Sequence, residues 1–372
     1  MKICILSMQK VPNFGSLLQS YSLKKLLESL GHEVSFIDIE ERKNDNCLIK
    51  GLTNSFSGEK ESSLNKWGKL SKIDKYAINR LNIKIRNSIQ ERQFEKFRRE
   101  VLQINDDDNG KQYDLCVIGS DEVFNCLADT PWGFTTQLFG NVKNAKRVIT
   151  YAASCGATKY ENVPEKAKER IRETFLNVNA FSVRDENTYE FVRKLTSKKI
   201  EQHYDLALIE NFDEELAGCK KWEKLPEHYC IVYSYYNRIY KEEEIQAISG
   251  FCKKKKLTIV SVGAPQMWIK NHLILDPFEM LAAFQKADFI ITDTFHGSIF
   301  SAKYAQRFGV IIRESNCNKL IDLLRKLNET AHIINDIKNI ETIYNINNDT
   351  KKIAEFADRE KIKTIKYFKE KV

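Results

Sequence analysis

Residues 288–313 read Asp-Phe-Ile-Ile-Thr-Asp-Thr-Phe-His-Gly-Ser-Ile-Phe-Ser-Ala-Lys-Tyr-Ala-Gln-Arg-Phe-Gly-Val-Ile-Ile-Arg. Phe289–Thr292 and Val310–Ile312 are short β-prone apolar runs. The stretch from Ile299 to Arg307 between them is long enough for a helix. Two such runs around a helix predict a βαβ unit in a parallel sheet. Asp293, Thr294, Phe295, His296 and Gly297 fall where the first strand ends and the helix begins, the place at which open α/β sheets hold ligands. Unpaired backbone N–H groups at a helix start favour an anion. Gly297 would let a ligand approach the backbone, and His296 adds a titratable donor. The stretch predicts an anion site for phosphate or carboxylate. The plainer alternative is that His296 is a cap or a packed polar group.

The alternation extends in both directions. Lys2–Ser7 reads as a strand and Leu17–Leu30 as an amphipathic helix stopped by Gly31, followed by a strand at Val34–Ile39. This Rossmann-type opening lacks Gly-x-Gly-x-x-Gly, which argues against a dinucleotide. Asn13, Gly15 and Ser16 lie at its first strand end, with Gln19 one turn further in. Tyr113–Gly119 is a strand running into Ser120 and Asp121. Arg147–Ala153 ends at Ser154, and Phe181–Val183 delivers Arg184, whose fork suits a planar anion. Arg184 could equally pair with Asp185 or Glu186 on the surface. Strands at Tyr229–Tyr235 and Leu257–Val262 alternate with helices at Lys241–Lys254 and Phe278–Lys286.

The pattern predicts an α/β protein with two Rossmann-like domains facing across a cleft. The expected limits are residues 1–205, with a basic helical insertion at about 60–100, then 206–350. Residues 351–372 are expected to form a helix packing back across both. Asn44–Ser63 reads as a loop. In residues 66–100, Lys and Arg outnumber acids, with aromatics interleaved. That is either a solvated helix face or a peripheral contact with an anionic membrane surface.

The chain has 372 residues, 42% of them hydrophobic, and a net charge of +8, enough for two cores. Its nine cysteines form no Cys-x-x-Cys pair, which predicts reduced thiols and no zinc knuckle. No metal-ligand spacing and no nucleic-acid motif stands out. The amino terminus lacks a signal-peptide layout, and no apolar run approaches the ~18 residues of a membrane span. A cytoplasmic protein is expected, with any membrane contact at the inner face.

Several segments together resemble the polysaccharide pyruvyl transferase family, in the family's order. They are Asn13-Phe-Gly15-Ser16-Leu-Leu-Gln19 with Leu30-Gly-His-Glu-Val34, Tyr113–Asn125, Tyr151–Gly156, Ser182–Glu186 and Asp293–Ser298. The resemblance implies the GT-B architecture and transfer of the enolpyruvyl unit of phosphoenolpyruvate to two hydroxyls of a sugar, giving a pyruvate ketal. It puts His296 and Arg184 on the family's residues that handle phosphoenolpyruvate. The acceptor implied is a glycan or lipid-linked oligosaccharide, with no cofactor beyond the donor substrate. Glu122 and Phe124 stand where members usually carry Gln and Trp, and Asp205-Leu-Ala stands for an Asp-Pro-Thr stretch.

On this reading His296 and Arg184 flank one doubly anionic ligand, with His296 as acid/base or phosphate ligand. Asn13, Gly15, Ser16, Gln19, Ser120, Asp121, Ser154, Asp293, Gly297, Ser298 and Arg313 are the expected substrate contacts, and Lys303 a further anion contact. Two rival functions fit the same frame. One is a nucleotide-sugar glycosyltransferase with Glu314 near a ribose; the other is a non-catalytic partner in polysaccharide assembly.

Overall fold

The computed structural model describes residues 1–49, 54–55, 85–219, 225–236 and 238–372. In chain order the strands of the first half are β1 (Lys2–Leu6), β2 (Glu33–Phe36), β3 (Asn54–Ser55), β4 (Leu115–Ile118), β5 (Ala128–Asp129), β6 (Val148–Thr150), β7 (Val178–Val183) and β8 (Ile200–Gln202). Those of the second half are β9 (Tyr229–Ser234), β10 (Thr258–Gly263), β11 (Asn271–Leu273), β12 (Phe289–Thr292), β13 (Phe308–Ile311) and β14 (Ile333–Ile334). They build two six-stranded sheets, ordered β2-β1-β4-β6-β7-β8 and β11-β10-β9-β12-β13-β14, and a two-stranded β3-β5 pair. The pairings within both large sheets are parallel. This is the two-domain, Rossmann-like, GT-B-like α/β arrangement.

Strand alternation sorts side chains between layers. Ile3 and Ile5 of β1 turn toward the other domain, whereas Cys4 and Leu6 turn into an outer core. In β9, Ile231 and Tyr233 face the first domain and Cys230 and Val232 face away. One apolar cluster therefore runs through both sheets, and each domain has its own outer core. The helix Phe14–Ser29 lies at the centre of the shared cluster. Its Tyr21 ring stands edge-on 5.2 Å from Phe278, and its Phe14 ring is 6.3 Å from Tyr233. Burying apolar surface on both sides of this helix favours a closed cleft.

Three local readings change. The helix predicted from Ile299 begins at Phe295, because Thr294 caps it. The stretch read as a loop contains a helical turn at Lys43–Asn46 and strand β3. Of the basic region, residues 66–84 lie outside the described residues, and 85–97 are helical. That helix turns Phe94 and Phe97 into the shared core. Its Gln90 exchanges two hydrogen bonds with the backbone of Leu275, so this part of the region is a strut between domains. Arg98, just beyond it, is consumed by Glu91, Glu95 and the carbonyls of Gln9 and Lys10.

The last helix, Thr350–Lys371, returns to the first domain. Tyr367 donates to the Thr150 carbonyl at 2.8 Å, and Phe368 stacks on Tyr151 at 4.9 Å. At its foot, Asn348 bonds the carbonyls of Ser301, Ala302 and Ala305 in the second domain. Among the described residues no helix is long and apolar enough to cross a membrane.

Candidate active site

Each sheet reverses its direction of growth once, between β1 and β4 and between β9 and β12. The crevice outside the carboxyl ends of such a strand pair is where open α/β sheets take ligands. Here the two crevices face each other. The β1/β4 crevice holds Asn13–Ser16 and Ser120–Asp121; the β9/β12 crevice holds Ser234–Tyr235 and Thr294–His296.

Asn13 caps the helix Phe14–Ser29 by accepting from the Ser16 N–H at 2.7 Å. The Ser16 hydroxyl crosses the crevice and donates to Asp121 at 2.7 Å. Asp121 has φ +86°, a conformation that non-glycine residues rarely adopt and that clusters at functional sites. In the other domain Thr294 Oγ1 accepts from the Gly297 N–H at 3.0 Å. His296 therefore sits in the first helical turn, where its own N–H and that of Phe295 have no carbonyl within the helix to bond.

The two halves meet at His296. A Cβ added to Gly15 would lie 2.2 Å from the imidazole Cγ and Nδ1, so the ring lies directly on the Gly15 backbone, and glycine is required for that approach. The other ring nitrogen, Nε2, stands 3.4 Å from Asp205 Oδ2. It is buried without a formed hydrogen bond, so this contact is one of proximity, ionic only when the ring is protonated.

Asp205 is the hub. Its carboxylate accepts from Arg184 Nη1 at 2.7 Å, Ser120 Oγ at 2.8 Å and the Ala207 N–H at 2.9 Å. Burial alone would raise its pKa. The charges of His296 and Arg184 and the Ala207 N–H outweigh burial and hold the carboxyl well below the usual range. Arg184 is itself buried, with its guanidinium carbon 4.1 Å over the Phe295 ring and its Nε without a partner. A second interdomain pair, Glu122 with Lys319, lies nearby. Burial works against the Glu122 carboxylate, but Lys319 and Asn125 hold its pKa down at about 2.

The main cavity holds about 280 Å³ and is lined by Asn13, Phe14, Phe94, Tyr235, Thr294 and His296 among others. Arg184 lines a different and far smaller space of about 10 Å³, with Asp205 and Lys319. The imidazole and guanidinium thus converge, but on the carboxylate of Asp205 and not on an open basin shared by both.

The other expected contacts divide. Asn13 lines the cavity, Gly15 supports the His296 ring, and Ser120 and Ser16 brace Asp205 and Asp121. Gln19 gives its amide nitrogen to Ser7, Ser16 and Ser20 inside its own domain, and its Oε1 is buried without a hydrogen-bond partner. Ser154 donates to Asp185, and Ser298 bonds back to the Thr294 carbonyl. Asp293 is fully buried and bonded to Ser234; Arg313 pairs with it and with Glu244. Lys303 bonds the carbonyls of Ala207 and Glu210, and burial pulls its pKa down to about 7. Glu314 is exposed. Apart from Glu314, the groups from Gln19 onward bond within the fold, and none of them lines the cavity.

Gly297 also has an internal reason. An added Cβ would fall 2.2 Å from Thr292 Oγ1, 2.5 Å from Thr294 Oγ1 and 2.6 Å from the Tyr233 ring. Its small size serves the packing of the helix start on β9 and β12, not the approach of a ligand. Gly297→Ala is expected to destabilise the protein by about 1–3 kcal/mol, the usual cost of overpacking, read as a lowered urea midpoint with unchanged slope.

Neither Asp205 nor Lys319 is among the site residues expected from sequence; Asp205 enters there only as the first residue of the Asp205-Leu-Ala departure. The signal for Asp205 was its place just after β8, where a carboxylate follows the last strand of the first sheet. Nothing local marks Lys319, one Lys of an amphipathic helix.

A model of the polysaccharide pyruvyl transferase family matches residues 13–315. No curated protein matches the chain. Among solved structures, the UDP-GlcNAc 2-epimerase of Methanocaldococcus jannaschii has a TM-score of 0.48 at 13% identity, over 99% of this chain and 100% of that one. The UDP-N-acetylglucosamine 2-epimerase of Rickettsia bellii has a TM-score of 0.49 at 10% identity, over 98% and 97%. The glycosyltransferase SnogD of Streptomyces nogalater has a TM-score of 0.43 at 12% identity, over 96% and 94%.

Proposed function

Since the chain belongs to the polysaccharide pyruvyl transferase family, and is by that membership a transferase with a polysaccharide acceptor, we propose that its donor is phosphoenolpyruvate and its product a pyruvate ketal on two hydroxyls of one sugar. The observation that carries this reading is the placement of His296: a titratable ring at the start of a helix, on the wall of the interdomain cavity, with a buried carboxylate behind it. The donor's anionic groups suit the helix start, where the Phe295 and His296 N–H groups and the helix dipole favour negative charge.

The chemistry asks for one proton carrier. A proton delivered to C3 of the enol leaves an electrophilic C2. A sugar hydroxyl adds there and gives its proton to the carrier, and phosphate departs with the electrons of its C–O bond. The second hydroxyl then closes the ring, and its proton leaves with phosphate. Imidazole can perform both transfers near neutral pH. With Nε2 buried beside Asp205, 3.4 Å from its Oδ2, Nδ1 is the nitrogen left for the substrate. Arg184 acts through Asp205, as a positioning residue.

The test incubates purified protein with phosphoenolpyruvate and a panel of bacterial glycans while phosphate release and glycan mass are followed. Phosphate release coupled to a pyruvate-ketal mass gain is expected. Absence of both with every glycan, together with thermal stabilisation by a nucleoside diphosphate and none by phosphoenolpyruvate, would replace this reading with nucleotide-sugar glycosyl transfer.

A further inference from the structure

The helix Phe295–Tyr304 carries His296 in its first turn and Lys303 in its last, about 10 Å further along at 1.5 Å per residue. Read from sequence as a further anion contact, Lys303 instead turns its ammonium to two backbone carbonyls, Ala207 at 3.0 Å and Glu210 at 2.6 Å. Both lie at the end of the short helix Leu206–Ile209, where the last carbonyls lack partners within the helix. That helix starts at Asp205, which accepts from the Ala207 N–H and stands 3.4 Å from His296 Nε2. The two helices therefore lie side by side. Lys303 joins them at one end, and at the other they meet across His296 and Asp205.

The two ends differ in strength. At the His296 end Nε2 forms no hydrogen bond, and the ring rests on the Gly15 backbone. At the Lys303 end a cation makes two hydrogen bonds, and such bonds are roughly twice as strong as neutral ones. Its Nζ also lies 4.9 Å from the centre of the Phe212 ring. Between the ends, Leu208 and Ile209 share an apolar cluster with Ile299 and Ala302. The short helix is itself fastened to the first domain. Asp205 takes Arg184 and Ser120, and Glu210 takes Lys25 at 3.4 Å and Lys361 at 2.9 Å. Lys303 thus ties the second domain's helix to an edge held by the first domain, and the helix carries that setting to its first turn.

Resting on the reading of His296 as proton carrier, we propose that Lys303 is its positioning residue. It does not line the cavity. It acts from the far end of the helix, setting how the imidazole stands over Gly15 and beside Asp205.

The test labels the full chain with ¹⁵N-histidine and follows the ring nitrogens by NMR, with His296 identified by its loss in His296→Ala. Lys303→Met keeps the length of the stem and removes the donors. In that variant the His296 signals are expected to shift, while those of His203 and His332, one buried in each domain, stay in place. Turnover of phosphoenolpyruvate should fall by about 10²-fold, the cost of a misplacement of about 1 Å. Lys361→Met removes a neighbouring charge but no bond to the two carbonyls, and should leave the His296 signals where they are. Unmoved His296 signals in folded Lys303→Met overturn the proposal, and so do signals that move as far in Lys361→Met. If Lys303→Met does not fold, Lys303→Gln, whose shorter side chain cannot bond both carbonyls, carries the same outcomes. If the His296 signals move as described and the wild type neither binds nor consumes phosphoenolpyruvate, the positioning role stands and the donor assignment falls.

Discussion

Pyruvyl transfer by a His296→Ala protein is expected to fall by about 10²–10⁴-fold, the range for removal of a positioned acid/base, with the melting temperature within a few degrees of wild type. The side chain is 12% exposed and carries no formed hydrogen bond at Nε2, so its removal costs packing on Gly15 and no hydrogen bond at that nitrogen. On the proposed reading, what it contributes is a proton carrier on the cavity wall. His296→Gln, which keeps much of the shape and a polar tip but cannot carry the proton, should lose as much turnover as Ala while binding phosphoenolpyruvate about as well as wild type. A phosphate-binding role would give the opposite division, with affinity lost first. Gly15→Ala supplies an independent approach to the same atom. Its added methyl would stand within van der Waals overlap of the ring, so either the ring turns or the domains part. Both displace Nδ1, and a misplacement of about 1 Å can cost 10²-fold. Full activity in His296→Ala would remove the residue from the mechanism.

The sequence carries the fold more completely than the site, for a physical reason. Parallel strands buried on both faces, such as Phe289–Thr292 and Leu115–Ile118, must be continuously apolar, and the helices between them show one greasy face. Those constraints are local and can be read from one stretch at a time. The strand ends carrying His296, Arg184, Ser120 and Asp121 are legible for the same reason, because position relative to a strand is also local.

What each of those groups touches is set by how two domains close, and no local pattern encodes that. Gly15 reads as a turn residue until the His296 ring lies on it. Arg184 reads as an anion clamp until Asp205, from the segment that leaves the first sheet, takes its Nη1. Gln19 reads as a site residue because it follows Asn13 on the same helix, yet one turn inward is already core, and its amide nitrogen bonds Ser7, Ser16 and Ser20. The helix start at Phe295 differs from the sequence estimate because apolar spacing locates a helix body, whereas a Thr cap decides where it begins. The basic composition of 66–100 suggested a surface, but in its described part, 85–97, Gln90, Phe94 and Phe97 decide the packing.

Asp205→Ala is expected to cost about 3–5 kcal/mol of stability, the usual result of leaving one partner of a buried ion pair unmatched. Arg184 has nowhere else to turn. Its side chain is 3% exposed, and its Nε has no hydrogen-bond partner and stands 4.0 Å from Asp185, whose carboxylate is committed to Ser154 and Thr188. Asp205→Asn separates charge from shape. The amide oxygen can still accept from Ala207 or Arg184, so the stability loss should be smaller than for Ala. Turnover should fall nonetheless, because the imidazolium formed during proton transfer loses its counterion. Acid titration isolates the charge. The Asp205 carboxyl is held below its ordinary range in the folded protein, so below about pH 4 the unfolded chain binds the extra proton. The stability from this group is fully present above that pH and is lost as pH falls toward the folded value. Glu122 contributes in the same direction, so the wild type should weaken steeply in acid and Asp205→Asn less steeply, with the two unfolding curves approaching each other below pH 4. Parallel curves from pH 7 to pH 3 would mean that the Asp205 carboxylate is not charge-coupled to Arg184 and His296, and the proton-carrier geometry built on that coupling would have to be abandoned.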